Sequence, residues 1–206
     1  MIRTDKVDLK STEECTAHFS NGQDMTFTYE ELCAFHIREG REYEDGDFAD
    51  LMITVQCERA KTRVMPFVVF KKRTKAQVRE RVLEAGFDQE VADSLTDELE
   101  AKGYIDDREF CRSFIRDSLE RKGASVRKTL WDLESKGIAR RLAEEMLAES
   151  GADDNAAAAG ALEKKLRSGA PKDYNKLYAF LTRRGFSGAV ADKVLRESGI
   201  ERFKEY

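Results

Sequence analysis

The sequence is poor in the residues that most often build metal and redox sites. Its 206 residues include two histidines, His18 and His36. The cysteines are Cys15, Cys33, Cys57 and Cys111. They form no CxxC pair, and neither histidine has a cysteine or carboxylate at the spacing of metal ligands. We therefore expect reduced, mostly buried thiols, no metal and no cofactor.

Long apolar runs are also missing. No window approaches the roughly 18 consecutive apolar residues that a membrane-spanning helix needs. The N-terminal stretch MIRTDKVDLKSTEEC lacks the basic-then-apolar order of a signal peptide. With 41% apolar and 37% charged residues, the chain has the composition of a folded protein. We expect a cytoplasmic protein that does not bind membranes.

The sequence contains none of the familiar catalytic motifs. It has no glycine-rich phosphate loop, no GxSxG and no HExxH. Asp106 and Asp107 could gather Mg²⁺ together with Asp97 and Glu98, but solvated helix ends account for these carboxylates more simply. We therefore predict a protein that is not an enzyme and has no catalytic residues.

Charge of one sign does not dominate the chain, but it is unevenly distributed. The net charge is −4; residues 1–70 carry 8 Lys and Arg against 14 Asp and Glu, and residues 71–206 carry 28 against 26. A protein that grips DNA through bulk charge is usually basic overall. Any binding of nucleic acid must therefore depend on local basic surfaces.

Three segments after residue 74 share one pattern. A glycine and an apolar residue recur as Gly86-Phe87, Gly137-Ile138 and Gly185-Phe186. Twelve residues before each glycine stands a helix-capping residue, in turn Thr74, Ser125 and Asp173. Glycine suits the left-handed residue that ends a helix. The pattern predicts three helical hairpins with a period near fifty residues.

A third helix is expected in the first two repeats. Asp106 and Asp107 would open one at about 107–122, and Asp153 and Asp154 another at about 154–168, with the aspartates as N-terminal caps. In the third repeat this helix should be short or absent. Phe110, Phe114 and Ile115 form an apolar stripe on the first of these helices, and Arg108, Arg112 and Arg116 line another face. Repeats of this kind predict an elongated, curved array.

The N-terminal segment has a different texture. ECTAHF and MTFTY alternate apolar and polar residues around Asn21-Gly22, which predicts a β-hairpin. Thr28 and Glu31 offer a capping box for a following helix. Asp47 could cap another helix through FADLMITVQCER, although its β-branched residues leave a strand possible. Pro66 is expected to kink or end the element before it.

Several segments taken in order resemble the RecX family of regulators of the RecA recombinase. They are GYIDDxxF at 103–110, GASVRxxL at 123–130, LxxKGI at 133–138 and RRGFS at 183–187. The similarity covers about residues 70–199. The resemblance implies a bacterial regulator built from tandem three-helix repeats. It also implies binding in the groove of the RecA–single-stranded DNA filament, with inhibition of its recombinase, ATPase and coprotease activities in DNA repair, recombination and the SOS response.

The expected architecture is therefore mainly α-helical with a small N-terminal β-hairpin and helix segment. We assign 1–70 to an acidic N-terminal segment and 71–123, 124–170 and 171–206 to helical repeats 1, 2 and 3. A monomer is expected. The structural motif comprises Gly86, Phe87, Gly103, Asp106, Asp107, Phe110, Gly137, Ile138, Gly185 and Phe186.

Basic residues are the candidates for contact with the RecA filament or with single- or double-stranded DNA. They are Lys71, Lys72, Arg73, Arg108, Arg112, Arg116, Arg121, Lys122, Arg127, Lys128, Arg183 and Arg184. Arginines at i+4 spacing can make bidentate contacts to carboxylates or phosphates. One alternative is a helical-repeat module that binds nucleic acid directly without RecA, although most aromatic residues fall on core positions rather than beside the basic groups. Another is a scaffold for an unrelated partner.

Overall fold

The hairpin expected around Asn21-Gly22 is present in the computed structural model, which describes residues 1–201. Strands β2 (Cys15–Phe19) and β3 (Asp24–Phe27) pair antiparallel, with Cys15 opposite Phe27 and His18 opposite Asp24. Gly22 has a φ of 83°, which a residue with a β-carbon rarely adopts. The turn therefore depends on the glycine that the sequence places there.

Two further strands, β1 (Ile2–Leu9) and β4 (Glu42–Tyr43), extend this hairpin to a four-stranded sheet of order β3-β2-β1-β4. Strand β1 pairs antiparallel with β2, and the short β4 pairs with the start of β1. The register between β1 and β2 shifts between Thr4 and Lys6, which marks a β-bulge. A bulge reverses the alternation of faces along a strand, so β1 does not show the simple two-residue period by which β2 was found.

The sheet packs against helix α1 (Tyr29–Ala34) and the start of helix α2 (Asp45–Phe70). The core of this region consists of Cys15, Ala17, Phe19, Phe27, Leu32, Ile37, Tyr43, Phe48 and Val55. The expected capping box is formed, because Thr28 Oγ1 accepts from the Glu31 amide at 3.1 Å and Glu31 Oε2 accepts from the Thr28 amide at 2.8 Å. Arg59 of α2 donates to both oxygens of Glu31, at 2.6 and 2.7 Å, and holds the pKa of that carboxyl below its ordinary value.

Helix α2 is 26 residues long and differs in two respects from the sequence expectation. It begins at Asp45, so Asp47 lies inside the first turn instead of capping it. It also continues past Pro66 to Phe70, so Pro66 does not end the element. A proline removes one helical amide donor. The helix continues nevertheless because apolar side chains on both sides of Pro66, including Val64 and Val68, are buried.

A cross-strand cluster on the sheet makes its stability depend on pH. His18 contacts Asp24 at 2.7 Å and Asp8 at 3.2 Å, and Asp8 also pairs with Lys6. The bond to Asp24 and then that to Asp8 raise the pKa of His18 above its ordinary value. The charged histidine therefore stabilises the fold fully below pH about 6.5. This contribution is lost as the pH rises through the higher pKa of the folded state.

We expect the difference in unfolding midpoint between the native chain and His18→Gln to be largest near pH 6 and to shrink as the pH rises from about 6.5 to 9. Urea titrations of both chains across this range measure it. His36 lies outside the cluster, so a His36→Gln chain is the matched control. A His18→Gln difference that grows with pH would contradict the expectation.

Residues 1–70 and 78–102 form one compact unit, and residues 71–77 with 103–201 form a second. In the first unit, α2 packs along helix α4 (Gln89–Ala101). Buried residues of the two helices include Val64 and Val68 on α2 and Leu95 and Leu99 on α4. Cys15, Cys57 and Cys111 are buried and Cys33 is exposed. Among the helices of residues 1–201, none combines the length and the apolar character of a membrane span.

The three helical hairpins are present. They pair α3 (Lys75–Glu84) with α4, α6 (Val126–Glu134) with α7 (Arg140–Glu149), and α9 (Tyr174–Arg183) with α10 (Gly188–Glu197). The glycines between them have φ values of 89°, 80° and 94° at Gly86, Gly137 and Gly185. In each hairpin the amide of the next residue, Phe87, Ile138 or Phe186, donates to the carbonyl five residues earlier, at 3.2–3.4 Å. All three hairpins thus close with one backbone motif.

The additional helices also form, as α5 (Asp107–Arg116) with a π-helical segment at Asp117–Arg121, and α8 (Asp154–Arg167). One core joins α5, α6 and α7 through Cys111, Ile115, Leu133, Ile138, Ala143, Met146 and Leu147. Another joins α8, α9 and α10 through residues that include Leu162, Leu181, Phe186 and Val194. The chain therefore contains three-helix modules in tandem. The repeat boundaries and the curvature of the array stay predictions, and the chain end at 202–206 lies outside the described residues.

Candidate partner-binding surface

The two aspartate pairs hold backbone amides. Asp106 caps α5 by accepting from the Glu109 amide at 2.8 Å, and Asp153 caps α8 by accepting from the Asn155 and Ala156 amides. The second aspartate of each pair reaches another helix. Asp107 accepts from the Lys75 amide at 2.9 Å, and Asp154 accepts from the Val126 amide at 2.7 Å. These amides begin α3 and α6, so each pair joins two helix N-termini.

The glycines of the repeat bring helices close together. A β-carbon on Gly137 would lie 2.2 Å from the β-carbon of Ala76, and one on Gly185 would lie 2.4 Å from Ser125 Oγ. The Ser125 amide also donates to the Arg184 carbonyl at 3.0 Å, and Thr74 Oγ1 donates to the Lys136 carbonyl at 2.7 Å. Each repeat glycine of the second unit therefore packs against the start of the first helix in the preceding hairpin.

The three arginines of α5 have different surroundings. Arg108 donates to Glu145 at 2.8 Å and to Glu149 at 2.9 Å, which ties α5 to α7 and raises the pKa of its guanidinium. Arg112 makes a long contact of 3.5 Å to Glu109. Arg116 is exposed and has no ion pair within residues 1–201. Arg112 and Arg116 thus face solvent, whereas Arg108 is paired with two carboxylates of α7.

The basic segment at residues 71–73 is also partly engaged in the fold. Lys72 Nζ donates to Glu109 at 2.6 Å and to Ser113 at 3.2 Å, and this lysine is the first cause of the lowered pKa of Glu109. Lys71 is exposed and Arg73 is half-buried. Gly103 has a φ of 76°, and the next residue, Tyr104, is exposed.

Helix α6 presents basic residues beside an exposed aromatic ring. Arg127 donates to the Gly185 carbonyl at 3.4 Å, while Lys128 pairs with Asp132 at 3.2 Å and lies 5.5 Å from the centre of the Trp131 ring. Trp131 is 64% exposed, and sequence reasoning did not single it out. Arg183 is exposed and donates from Nε to the Ala179 carbonyl at 3.0 Å. Phe110 is half-buried and stacks on Phe114.

A basic groove lies between the π-helical segment, α8 and α9. We use this name for the cavity of about 250 Å³ whose charged lining residues are Arg121, Lys122, Lys164, Lys165 and Arg184. Sequence reasoning identified Arg121, Lys122 and Arg184 but missed Lys164 and Lys165, because no motif distinguishes the Lys-Lys pair in α8. Arg121 and Lys122 share Asp117 and lower the pKa of this carboxyl to about 2.

The described residues 1–201 hold no group of three or more His, Cys, Asp or Glu side chains placed to bind a metal ion. The predicted site residues therefore fall into two sets. The aspartates, with Gly137 and Gly185, hold helices together. The arginines and lysines are distributed over the segment 71–73, α5, α6, the end of α9 and the basic groove, where some are hydrogen-bonded within the protein and others face solvent.

Comparisons with known proteins give one consistent family. Residues 106–147 match the model of the second three-helix domain of RecX, and residues 152–195 match that of the third. A regulatory protein RecX of Geobacillus sp. (strain WCH70) is 22% identical over 182 residues, covering 85% of this chain and 67% of the relative. That of Streptococcus equi subsp. equi is 26% identical over 195 residues, covering 90% and 73%.

A solved structure agrees in fold. The crystal structure of a regulatory protein RecX superimposes with a TM-score of 0.60 at 18% identity and covers 94% of this chain and 98% of its own. The two matched domains correspond to α5–α7 and α8–α10, which are the helices around the two cores of the second unit.

Proposed function

This chain belongs to the RecX family of regulatory proteins, and from that premise we propose that it binds the RecA–single-stranded DNA filament and inhibits its recombinase, ATPase and coprotease activities. The observation that carries the proposal is the tandem match of two RecX domains to two adjoining three-helix modules. The partner comes from the family resemblance. The modules supply the physical support.

Tandem modules suit a filament because both are periodic. The second unit repeats one set of contacts, with an aspartate pair, a capped hairpin and a closely packed glycine in successive positions. A repeating protein can contact successive protomers of a repeating partner with similar surfaces. Exposed arginines such as Arg112 and Arg116 offer bidentate contacts to carboxylates or phosphates of such a partner.

We further propose that the protein acts by binding and without catalysis. Asp106, Asp107, Asp153 and Asp154 accept hydrogen bonds from backbone amides, which gives them a structural role. A carboxylate held this way stabilises a helix start by about 1 kcal/mol. The protein is expected to function in the bacterial cytoplasm, where RecA filaments form during DNA repair.

The test is the ATPase rate of the cognate RecA on single-stranded DNA, measured with and without this protein at two salt concentrations. We expect inhibition at well below one molecule per RecA protomer, and we expect it to persist at the higher salt. Inhibition that occurs only at low salt would indicate competition for DNA, because phosphate-driven binding weakens steeply with salt. Absence of inhibition would refute the proposal.

The same assay tests the arginines of α5. Arg112→Ala with Arg116→Ala is expected to require about tenfold more protein for half-inhibition, since about 1.4 kcal/mol of binding free energy corresponds to that factor. Both side chains are exposed, so the melting temperature should not change. Lys172→Ala with Lys193→Ala removes two exposed charges elsewhere in the same unit and serves as the matched control. If the arginine variant inhibited RecA as strongly as the lysine control, Arg112 and Arg116 would not contact the partner.

A further inference from the structure

The basic groove brings cations from three separate parts of the chain to one cavity. Arg121 and Lys122 come from the end of the π-helical segment, Lys164 and Lys165 from the last turns of α8, and Arg184 from the end of α9. All of them belong to the second unit. Their neighbours in the lining are small or aromatic, namely Gly123, Ala161, Ser168 and Phe180, and none is acidic.

The positive charge of the groove is largely uncompensated. Asp117 pairs with both Arg121 and Lys122, so one carboxylate serves two cations. Lys164 donates to the backbone carbonyl of Glu120, and a carbonyl group carries no net charge. Glu163, the nearest acid along α8, pairs with Arg167 instead. Of the five lining cations, only Arg121 and Lys122 form an ion pair within residues 1–201, and they share one carboxylate, Asp117.

The close approach of two elements creates this arrangement. A β-carbon on Gly123 would lie 2.7 Å from the β-carbon of Ala161, so only glycine allows the chain after Lys122 to contact α8 there. Arg184 donates to the Gly123 carbonyl at 3.3 Å and covers the Phe180 ring at 4.6 Å. Packing and hydrogen bonds to backbone carbonyls thus hold the cations together without neutralising their charge.

These features favour phosphate over other ligands. Lys165 and Arg184 both lie over the Phe180 ring, which occupies the aromatic surface that a nucleobase would need for stacking. A site that offers several cationic donors and no free aromatic face suits groups with charged oxygens and little need for stacking. A nucleic-acid strand supplies such groups at a spacing of about 3.4 Å of helix axis per charge.

We propose that Arg121, Lys122, Lys164, Lys165 and Arg184 form a binding site for the phosphodiester backbone of a nucleic-acid strand. The inference deepens the proposed function and rests on it in one respect: it assigns this groove to the DNA of the filament and leaves α5 to the protein. Because the groove contacts phosphates and not bases, binding should be independent of sequence and sensitive to salt.

The experiment measures binding of the full chain to a fluorescent dT20 oligonucleotide by anisotropy over a series of salt concentrations, without RecA. The groove variant is Lys164→Gln with Lys165→Gln, and the control is Lys172→Gln with Lys193→Gln, which removes the same charge from exposed positions of the same unit. We expect the groove variant to bind about tenfold more weakly at low salt. Its slope of log K against log salt should be smaller by about 1.4, because each lysine that no longer neutralises a phosphate reduces the slope by about 0.7.

Each outcome decides the inference. Equal affinities and slopes for the two variants overturn it, and because RecA is absent from the assay this result leaves the proposed function standing. The inference is also overturned if the groove variant binds poly-L-glutamate more weakly than the control does but binds dT20 equally well. The groove would then bind an acidic protein segment. Circular dichroism checks folding, and Arg121→Gln with Lys122→Gln replaces the first variant if that variant melts early. For this second pair the same reductions in affinity and slope are expected.

Discussion

Replacing Phe186 by alanine is expected to lower the free energy of unfolding of the second unit by about 3–5 kcal/mol. The ring is 2% exposed and lies in the core of α8, α9 and α10, among residues that include Leu181 and Val194. Its removal loses the transfer free energy of a buried aromatic side chain and leaves a cavity that close packing cannot fill. Urea unfolding followed by circular dichroism measures the change.

Phe70 provides the matched control for Phe186. The same substitution at Phe70, whose side chain is 82% exposed, removes the same atoms without creating a cavity. We expect it to change the free energy of unfolding by no more than about 0.5 kcal/mol. A comparable loss at the two positions would show that Phe186 is not buried as the structure places it.

Replacing Gly137 by alanine is expected to be nearly as harmful. Two costs add at this position. The φ of 80° strains any residue with a β-carbon, by about 1–2 kcal/mol, and the new methyl group would lie 2.2 Å from the β-carbon of Ala76. Relief of that clash must separate the start of α3 from the α6–α7 turn, and overpacking of this kind costs about 1–3 kcal/mol more.

Gly86 separates these two costs. It occupies the same place in its own hairpin, with a φ of 89°, but a β-carbon there would meet no atom within 4 Å. Gly86→Ala should therefore show the cost of strain alone, and the difference between the two variants in urea unfolding is the cost of the close approach to Ala76. Similar losses of stability for Gly86→Ala and Gly137→Ala would mean that Gly137 does not pack against Ala76.

The helical repeats could be predicted from sequence because their signals are local. A capping residue, a helix of nine or ten residues and a glycine determine the start and end of each first helix through hydrogen bonds within one segment. Thr74, Ser125 and Asp173 each accept from the amide three residues later, as their spacing predicts. Such features need no knowledge of the rest of the chain.

Strand β1 and the full length of α2 could not be predicted in this way. The bulge near Asp5 breaks the alternation of β1, and its pairing with β2 becomes evident only once the two strands lie side by side. Pro66 ordinarily ends or kinks a helix, but the buried faces of α2 stabilise the helix on both sides of it. Both the pairing of β1 and the length of α2 therefore depend on tertiary packing.

For the candidate site, the sequence predicts which types of residue take part but not how they are arranged. The sequence identifies arginines and lysines, but their roles depend on neighbours distant in the chain. Arg108 was grouped with Arg112 and Arg116 by spacing, yet Glu145 and Glu149 engage it from α7. Lys164 and Lys165 join Arg184 and Lys122 only because Gly123 packs on Ala161. Contacts between residues so far apart in the chain cannot be recognised from the sequence of a single helix.

The second aspartate of each pair bears on how such a chain can evolve. Asp107 and Asp154 each satisfy the first amide of a helix about thirty residues earlier, at Lys75 and Val126. The α5–α7 module therefore carries both the acceptor for the helix before it, Asp107, and the amide that the next module's aspartate accepts from, at Val126. Tandem duplication of the gene segment for one module would reproduce this junction without any new interaction, so the array can lengthen or shorten by whole modules while keeping every joint intact.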